Sequence, residues 1–272
     1  MILGLDHVAL VVRGLGTAAD AYGRLFGLPA PSPVFAPGAL RMRFQLGNVA
    51  LELLSPEGEG GLAPALDAAL GQGDAAFWAL GFSCEDLGEA ARRLERRAVA
   101  CTPGPDGRLH AERAATGGLG LVFLPAGREA PPPAQGPVVG LDHVVINTSQ
   151  PERAAALYGA RLGLDLRLDR SNPSWGVRQL FFAAGGPVVE VVAPLEPRAE
   201  LQAADQFGGL AWRVADIEAA HADLTGRGLE LSDARRGRKP GTHVLTVRSG
   251  LPCGPALLIS QSPPADAGAG AA

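Results

Sequence analysis

At 272 residues, with 47% hydrophobic and 19% charged side chains, the chain has the composition of a globular protein and the length of about two domains. A formal net charge of −4 gives no electrostatic ground for binding nucleic acid or an anionic membrane, no apolar run reaches the roughly 18–20 residues of a membrane span, and no secretory signal is expected. Cys84, Cys101 and Cys253 are scattered and odd in number, which argues against a disulfide framework or a zinc knuckle and for a reduced, cytoplasmic setting.

Gly4-Leu5-Asp6-His7-Val8 opens an apolar strand from Leu5 to Val12. Simple alternation puts Val8, Leu10 and Val12 on one face and Leu5, His7 and Ala9 on the other. A helix from about Thr17 to Phe26 follows, with Ala18, Ala21, Tyr22 and Leu25 at helical spacing. Further strands come next. In one of them Arg41, Arg43 and Gln45 alternate with Met42 and Phe44 and so share a face. That face is either the wall of a ligand cup, where the arginines would hold a carboxylate or phosphate, or a solvated surface. The block ends on a strand carrying Glu52, which shares its face with Ala50 and Leu54. A second strand-and-helix block starts near Leu80, where Asp86 followed by Glu89 reads as a helix start.

The whole pattern then repeats. Gly140-Leu141-Asp142-His143-Val144 matches the opening pentapeptide, Tyr158-Gly159 matches Tyr22-Gly23, and Gly163-Leu164 matches Gly27-Leu28. Pro187 to Pro194, centred on Glu190, matches Val49 to Pro56, and Leu210 to Asp216 matches Leu80 to Asp86. Ser149 with Glu152 reads as a capping box for the third helix, and Asp216 as a weaker start signal for the fourth. The expected organisation is a first domain over 1–128, a Pro-rich linker over 129–137, a second domain over 138–261 and a frayed Pro/Ala/Gly tail over 262–272. The fold class is α+β, with four βαβββ units arranged as two pairs.

Leu-Asp-His-Val, then a helix with Ala-Tyr, then Gly-Leu, then Glu-Leu-Leu-x-Pro, resembles the vicinal oxygen chelate superfamily over residues 1 to about 261. That superfamily includes glyoxalase I, methylmalonyl-CoA epimerase, extradiol dioxygenases and bleomycin-resistance proteins. The resemblance implies two cup-shaped domains that bind a small molecule, with a possible divalent metal (Zn, Fe, Mn or Ni) on the first and last strands of each unit. His7 and Glu52 match such ligand positions in the first half, and His143 and Glu190 in the second. The partner positions read Ala79 and Gly209 where a His is usual, and Val122 or Phe123 and Leu258 or a neighbour where a Glu is usual. Each half thus offers one His and one carboxylate, which counts against an extradiol dioxygenase, whose facial triad needs two His and one carboxylate. His243 is the best candidate for a third ligand in the second half, with Gln206 and, in the first half, His110 as weaker ones.

Two functions follow from the resemblance. One is metal-dependent lyase, isomerase or epimerase chemistry through an enolate-like intermediate, with no catalytic base identified. The alternative is a metal-free protein of the bleomycin-resistance type that sequesters a small molecule, in which His143 and Glu190 are a hydrogen-bonded pair and Trp175, Phe181, Phe182 and Trp212 matter more. Gln179, Phe181 and Ala183 replace the arginine-bearing face of the first half, so the second cup is suited to a more apolar ligand, with Trp175 and Arg178 beside it. The basic run Arg235-Arg236-Gly237-Arg238-Lys239 is either an anion clamp or a solvated loop. Four units suffice for two complete cups in one chain, so both a monomer and a homodimer are compatible with the sequence.

Overall fold

The structure is a computed structural model that describes residues 1–127, 136–196 and 204–261. The first half comprises β1 (Ile2–Val12), α1 (Leu15–Phe26), β2 (Val34–Ala36), β3 (Ala39–Gln45), β4 (Ala50–Pro56), α2 (Ala63–Leu70), β5 (Ala75–Cys84), α3 (Leu87–Arg96), β6 (Cys101–Pro103), β7 (Leu109–Ala111) and β8 (Leu121–Pro125). The second comprises β9 (Val138–Asn147), α4 (Pro151–Ala155), β10 (Asp165–Asn172), β11 (Val177–Ala183), β12 (Val188–Pro194), β13 (Gln206–Val214), α5 (Ile217–Gly226), β14 (Arg235–Arg236), β15 (Thr242–Val247) and β16 (Ala256–Gln261). Most of the expected linker, and the tail from residue 262, lie outside the described residues.

Each half forms one curled eight-stranded sheet, ordered β2-β3-β4-β1-β5-β8-β7-β6 and β10-β11-β12-β9-β13-β16-β15-β14. The orders are the same once the repeat is superimposed, and each sheet joins two βαβββ units edge to edge through the antiparallel pairs β1–β5 and β9–β13. Asp86 and Asp216 cap α3 and α5, accepting from the backbone N–H of Glu89 and Ala219 at 2.7 and 2.8 Å. At α4 the cap position falls on Gln150 and the helix opens with Pro151, one residue later than a capping box at Ser149 implies.

The apolar cluster on the convex faces is continuous between the halves. It contains Val8, Leu10 and Val12 of β1 with Tyr22, Leu25 and Phe26 of α1, and equally Val144, Ile146, Tyr158 and Trp212 of the second half. Phe26 lies edge-on to both Phe44 and Trp212, with ring centroids 5.4 and 4.9 Å apart. The two concave faces therefore point away from a common core.

The first concave face is covered from within the chain. Leu62, Leu66 and Leu70, on and beside α2, pack on Ala9, Val11, Leu54, Ala79 and Val122, all buried. This helix lies in the connection between the two βαβββ units and is absent from the sequence-based element list.

Candidate functional site

The repeated Asp-His dipeptide sits on a β-bulge in each half. Leu5 pairs with Phe82 and His7 with Gly81, so Asp6 and His7 together oppose one residue. Likewise Leu141 pairs with Trp212 and His143 with Ala211. A bulge breaks the alternation of faces. As a result Leu5 joins Val8 and Leu10 in the convex core, whereas strict alternation put it beside His7. The bulge also brings the carboxylate within reach of the ring that follows it. Asp6 Oδ1 lies 2.7 Å from His7 Nδ1, and Asp142 Oδ2 lies 2.9 Å from His143 Nδ1. An ionised carboxylate only accepts, so each imidazole carries its hydrogen on Nδ1 and turns Nε2 into the cup. Gly81 makes room for the first ring, since a Cβ there would lie 2.0 Å from His7 Cε1.

In the first cup His7 and Glu52 have no exposed side-chain surface. Their Nε2 and Oε2 atoms are 3.6 Å apart, but a guanidinium, not a shared ion, joins them. Arg108 donates from both terminal nitrogens to Glu52, each at 2.7 Å, and its Nη1 is 3.2 Å from His7 Nε2. Arg43 bridges Glu52 and Asp6 at 3.3 and 2.9 Å, and Arg41 approaches Glu52 to 3.7 Å. Arg41 and Arg43 thus face the cup, and both neutralise its carboxylates. Burial alone would raise the Glu52 pKa, but His7, Arg108 and Arg41 outweigh it and hold the carboxyl at about 2. Asp6 is held low in the same way, with burial opposed by His7 and Arg43. His110 bonds Asp106 at 2.9 Å and stands outside the His7–Glu52 contact.

The second cup is more open. His143 Nε2 lies 3.3 Å from Glu190 Oε2, with 18% and 10% of the two side chains exposed. Gln179 donates to Glu190 Oε1 at 2.5 Å, while its own carbonyl oxygen accepts from Arg170 at 3.0 and 3.2 Å. Residues alternating with the convex core form the wall: Val145, Phe181, Val188, Val192, Leu257 and Ile259 are all only half-buried. Trp175, at the turn before β11, lies under the guanidinium of Arg238, whose Cζ is 3.9 Å from the ring centroid, and Arg170 is 5.8 Å from the same ring. Burial would raise the Asp142 pKa, but His143, Arg213 and Lys239 together lower it.

The donor sets do not suit a resident metal. In the first cup the Nε2 lone pair of His7 faces an Arg108 N–H, and a fixed cation already bridges the His–Glu pair. In the second, Gln179 turns its amide nitrogen to Glu190 and its oxygen to Arg170, leaving only His143 and Glu190 as ligands, fewer than the three that zinc sites use. No group of three or more His, Cys, Asp or Glu converges among the described residues. His243 is not brought to the pair: it lines a surface cleft with Asp216, Glu218 and Ser260 at the start of α5, because β15 turns Leu245 and Val247, and His243 with them, to the helix side. Gln206 pairs with Asn147 at the other end of β9. Arg178 also faces away from the cup, bonding Asp169 at 2.9 and 2.8 Å and Glu152 at 2.6 Å. The positions across from His7 and His143 are Gly81 and Ala211, with Ala79 and Gly209 next to them, so neither half has a second histidine there. Val122 faces the first cup, while Leu258 lies in the convex core.

Sequence reasoning missed Asp6 and Asp142 as orienting partners, Arg108 as the bridging cation and Arg170 as the partner of Gln179. Arg108 immediately precedes β7, and no motif marks it.

The model of the Glyoxalase/Bleomycin resistance protein/Dioxygenase superfamily matches residues 4–120, and a second model of the same description matches residues 142–246. Among solved structures, a mutant 4-hydroxymandelate synthase from Streptomyces coelicolor is similar over 96% of this chain and 93% of that one, at 16% identity and a TM-score of 0.69. A xylose isomerase-like TIM barrel/4-hydroxyphenylpyruvate dioxygenase fusion protein is similar over 100% of this chain and 51% of that one, at 14% identity and a TM-score of 0.70. Methylmalonyl-CoA epimerase from Mycobacterium tuberculosis covers 48% of this chain and 93% of its own, at 26% identity and a TM-score of 0.39. No curated protein matches the chain in sequence. At 16% and 14% identity, the likeness to the synthase and the fusion protein speaks for the fold alone.

Proposed function

This chain belongs to the glyoxalase/bleomycin resistance protein/dioxygenase superfamily, and on that premise we propose that its second half is a metal-independent binding site for a small, largely apolar molecule, with the first half as its structural partner. The contrast between the cups carries this reading. The first is covered by α2 and its charges are satisfied internally. The second keeps a half-buried apolar wall around a short polar floor. Apolar wall that is still wet gains about 25 cal/mol per Å² when a ligand covers it, and a few fixed polar groups then orient the ligand. Glu190, steadied by Gln179 and 3.3 Å from His143 Nε2, offers an acceptor to a ligand N–H or O–H. The three free cysteines support a cytoplasmic setting, and no helix among the described residues is long and apolar enough to cross a membrane.

Titration of chelator-treated protein with a panel of small aromatic compounds tests the reading, with thermal stability and tryptophan fluorescence as readouts. At least one compound raises the midpoint and quenches Trp175 without added metal. Val145→Trp, or Ile259→Trp from another strand, fills the cup and abolishes both effects. Stoichiometric zinc, iron, manganese or nickel in the purified protein, with binding lost on chelation and in His143→Ala, would instead establish the metal-dependent lyase or isomerase reading.

A further inference from the structure

Resting on the binding reading above, we infer that the second cup selects an anionic ligand, its acidic group held by Arg170 and Arg238 at the rim beside Trp175. These arginines come from opposite edges of the curled sheet. Arg170 is on β10, the first strand in the spatial order, and Arg238 is in the turn between β14 and β15, at the other end. Their meeting over one indole ring closes the sheet across the mouth of the cup.

Neither guanidinium is neutralised among the described residues. Arg170 donates only to the neutral carbonyl of Gln179, and Arg238 makes no ion pair among the described residues. Two other arginines of this half are paired by contrast: Arg178, which faces away from the cup, with Asp169 and Glu152, and Arg213 with Asp142. Stacking on Trp175 orients the Arg238 plane while leaving its N–H edge free to donate. Arg170 also lies 5.6 Å over Phe181, on the apolar wall, so its charge sits where a bound ring would end. The carboxylates on the floor have their own partners. Glu190 faces His143 and Gln179, and Asp142 faces His143 and Arg213. The basic run 235–239 is therefore not a uniformly solvated loop, since one of its members is placed on the cup.

A matched pair of fluorescent probes isolates the charge: 1-anilinonaphthalene-8-sulfonate and its uncharged parent N-phenyl-1-naphthylamine. The wild-type protein binds the sulfonate about tenfold more tightly, and the preference falls as salt rises. Arg170→Gln and Arg238→Gln, both at exposed side chains, each weaken the sulfonate several-fold more than they weaken the parent. Equal binding of the two probes, or a preference that survives both substitutions, overturns the anion assignment and leaves the binding reading standing. Failure of both probes to bind, or binding that Val145→Trp does not abolish, overturns the binding reading and the assignment with it.

Discussion

A carboxylate with no exposed surface stays ionised only where fixed cations replace its water. Glu52 is such a group, and Arg108 is its principal partner. Removing Arg108 alone leaves a buried, uncompensated charge, so Arg108→Ala lowers the unfolding free energy by about 3–5 kcal/mol. Removing both charges, as in Glu52→Gln with Arg108→Met, recovers much of that loss. Urea denaturation of the three proteins measures both effects, and equal losses in the single and double variants would contradict the bridging role. The same geometry fixes a pH dependence. The folded pKa of Glu52, about 2, lies below its ordinary value of 4.5. Its contribution, on the order of 3 kcal/mol, is therefore complete above the ordinary value and disappears as pH falls from there towards the folded value. Stability falls less steeply between about pH 5 and pH 3 in Glu52→Gln than in the wild type. Identical slopes would place the acid sensitivity elsewhere. Much of this site is legible in the sequence, because the repeat marks His7 with Glu52 and His143 with Glu190 as pairs on cup-facing strands. Arg108 is not, because its contact depends on how far the sheet curls, and strand alternation carries no information about curl.

At the scale of elements, one helix, α2, covers the first cup, while the described wall of the second stays half-buried. Leu62, Leu66 and Leu70 recur every fourth residue, a helical stripe that is present in the sequence. It follows Glu57-Gly58-Glu59-Gly60-Gly61 and includes Pro64, so the segment reads as a loop, and nothing local says that it folds back over its own sheet. The Asp-His bulges are hidden for a similar reason: a two-residue period predicts alternation, and a bulge is set by the partner strand. The four βαβββ units, by contrast, are readable because each has its own apolar period and most have a helix-start signal. Leu66 is fully buried, so Leu66→Ala costs about 2–5 kcal/mol through lost burial and the cavity left behind. Val145, on β9 in the wall of the second cup, is half-buried, so Val145→Ala costs about 1 kcal/mol or less. Chemical denaturation of the two variants checks the difference, and equal costs would mean that the first cup is no better filled than the second.

At the scale of the molecule, the repeated motif has a role unrelated to ligands. Its first residue, Gly4 or Gly140, lies where the halves touch. A Cβ on Gly4 would stand 2.8 Å from Gly185 Cα and 2.9 Å from the Ala184 carbonyl oxygen, and one on Gly140 would stand 2.3 Å from Asn48 Oδ1. The contacts are reciprocal: the β11–β12 turn of the second half meets the start of β1, and the β3–β4 turn of the first meets the start of β9. Leu5 donates its N–H to Ala184 at 2.9 Å, while Asn48 accepts from the Leu141 N–H at 2.9 Å and donates to its carbonyl at 2.8 Å. Together with the continuous core, this makes the halves one cooperative unit, and calorimetric unfolding is expected to show a single transition. Gly4→Ala forces the turn backbone away and Gly140→Ala displaces the Asn48 side chain from Leu141; each lowers stability by about 1–3 kcal/mol, through overpacking and lost contacts rather than backbone strain. Gly16 in α1 is the control, since a Cβ there meets nothing within 4 Å and alanine in a helix gains about 0.5–1 kcal/mol over glycine. A lower midpoint for the two interface variants and a higher one for Gly16→Ala would establish that the motif glycines hold the halves together. If all three variants shift the midpoint alike, close approach is not what those glycines supply, and the halves are coupled through the Phe26–Trp212 core alone.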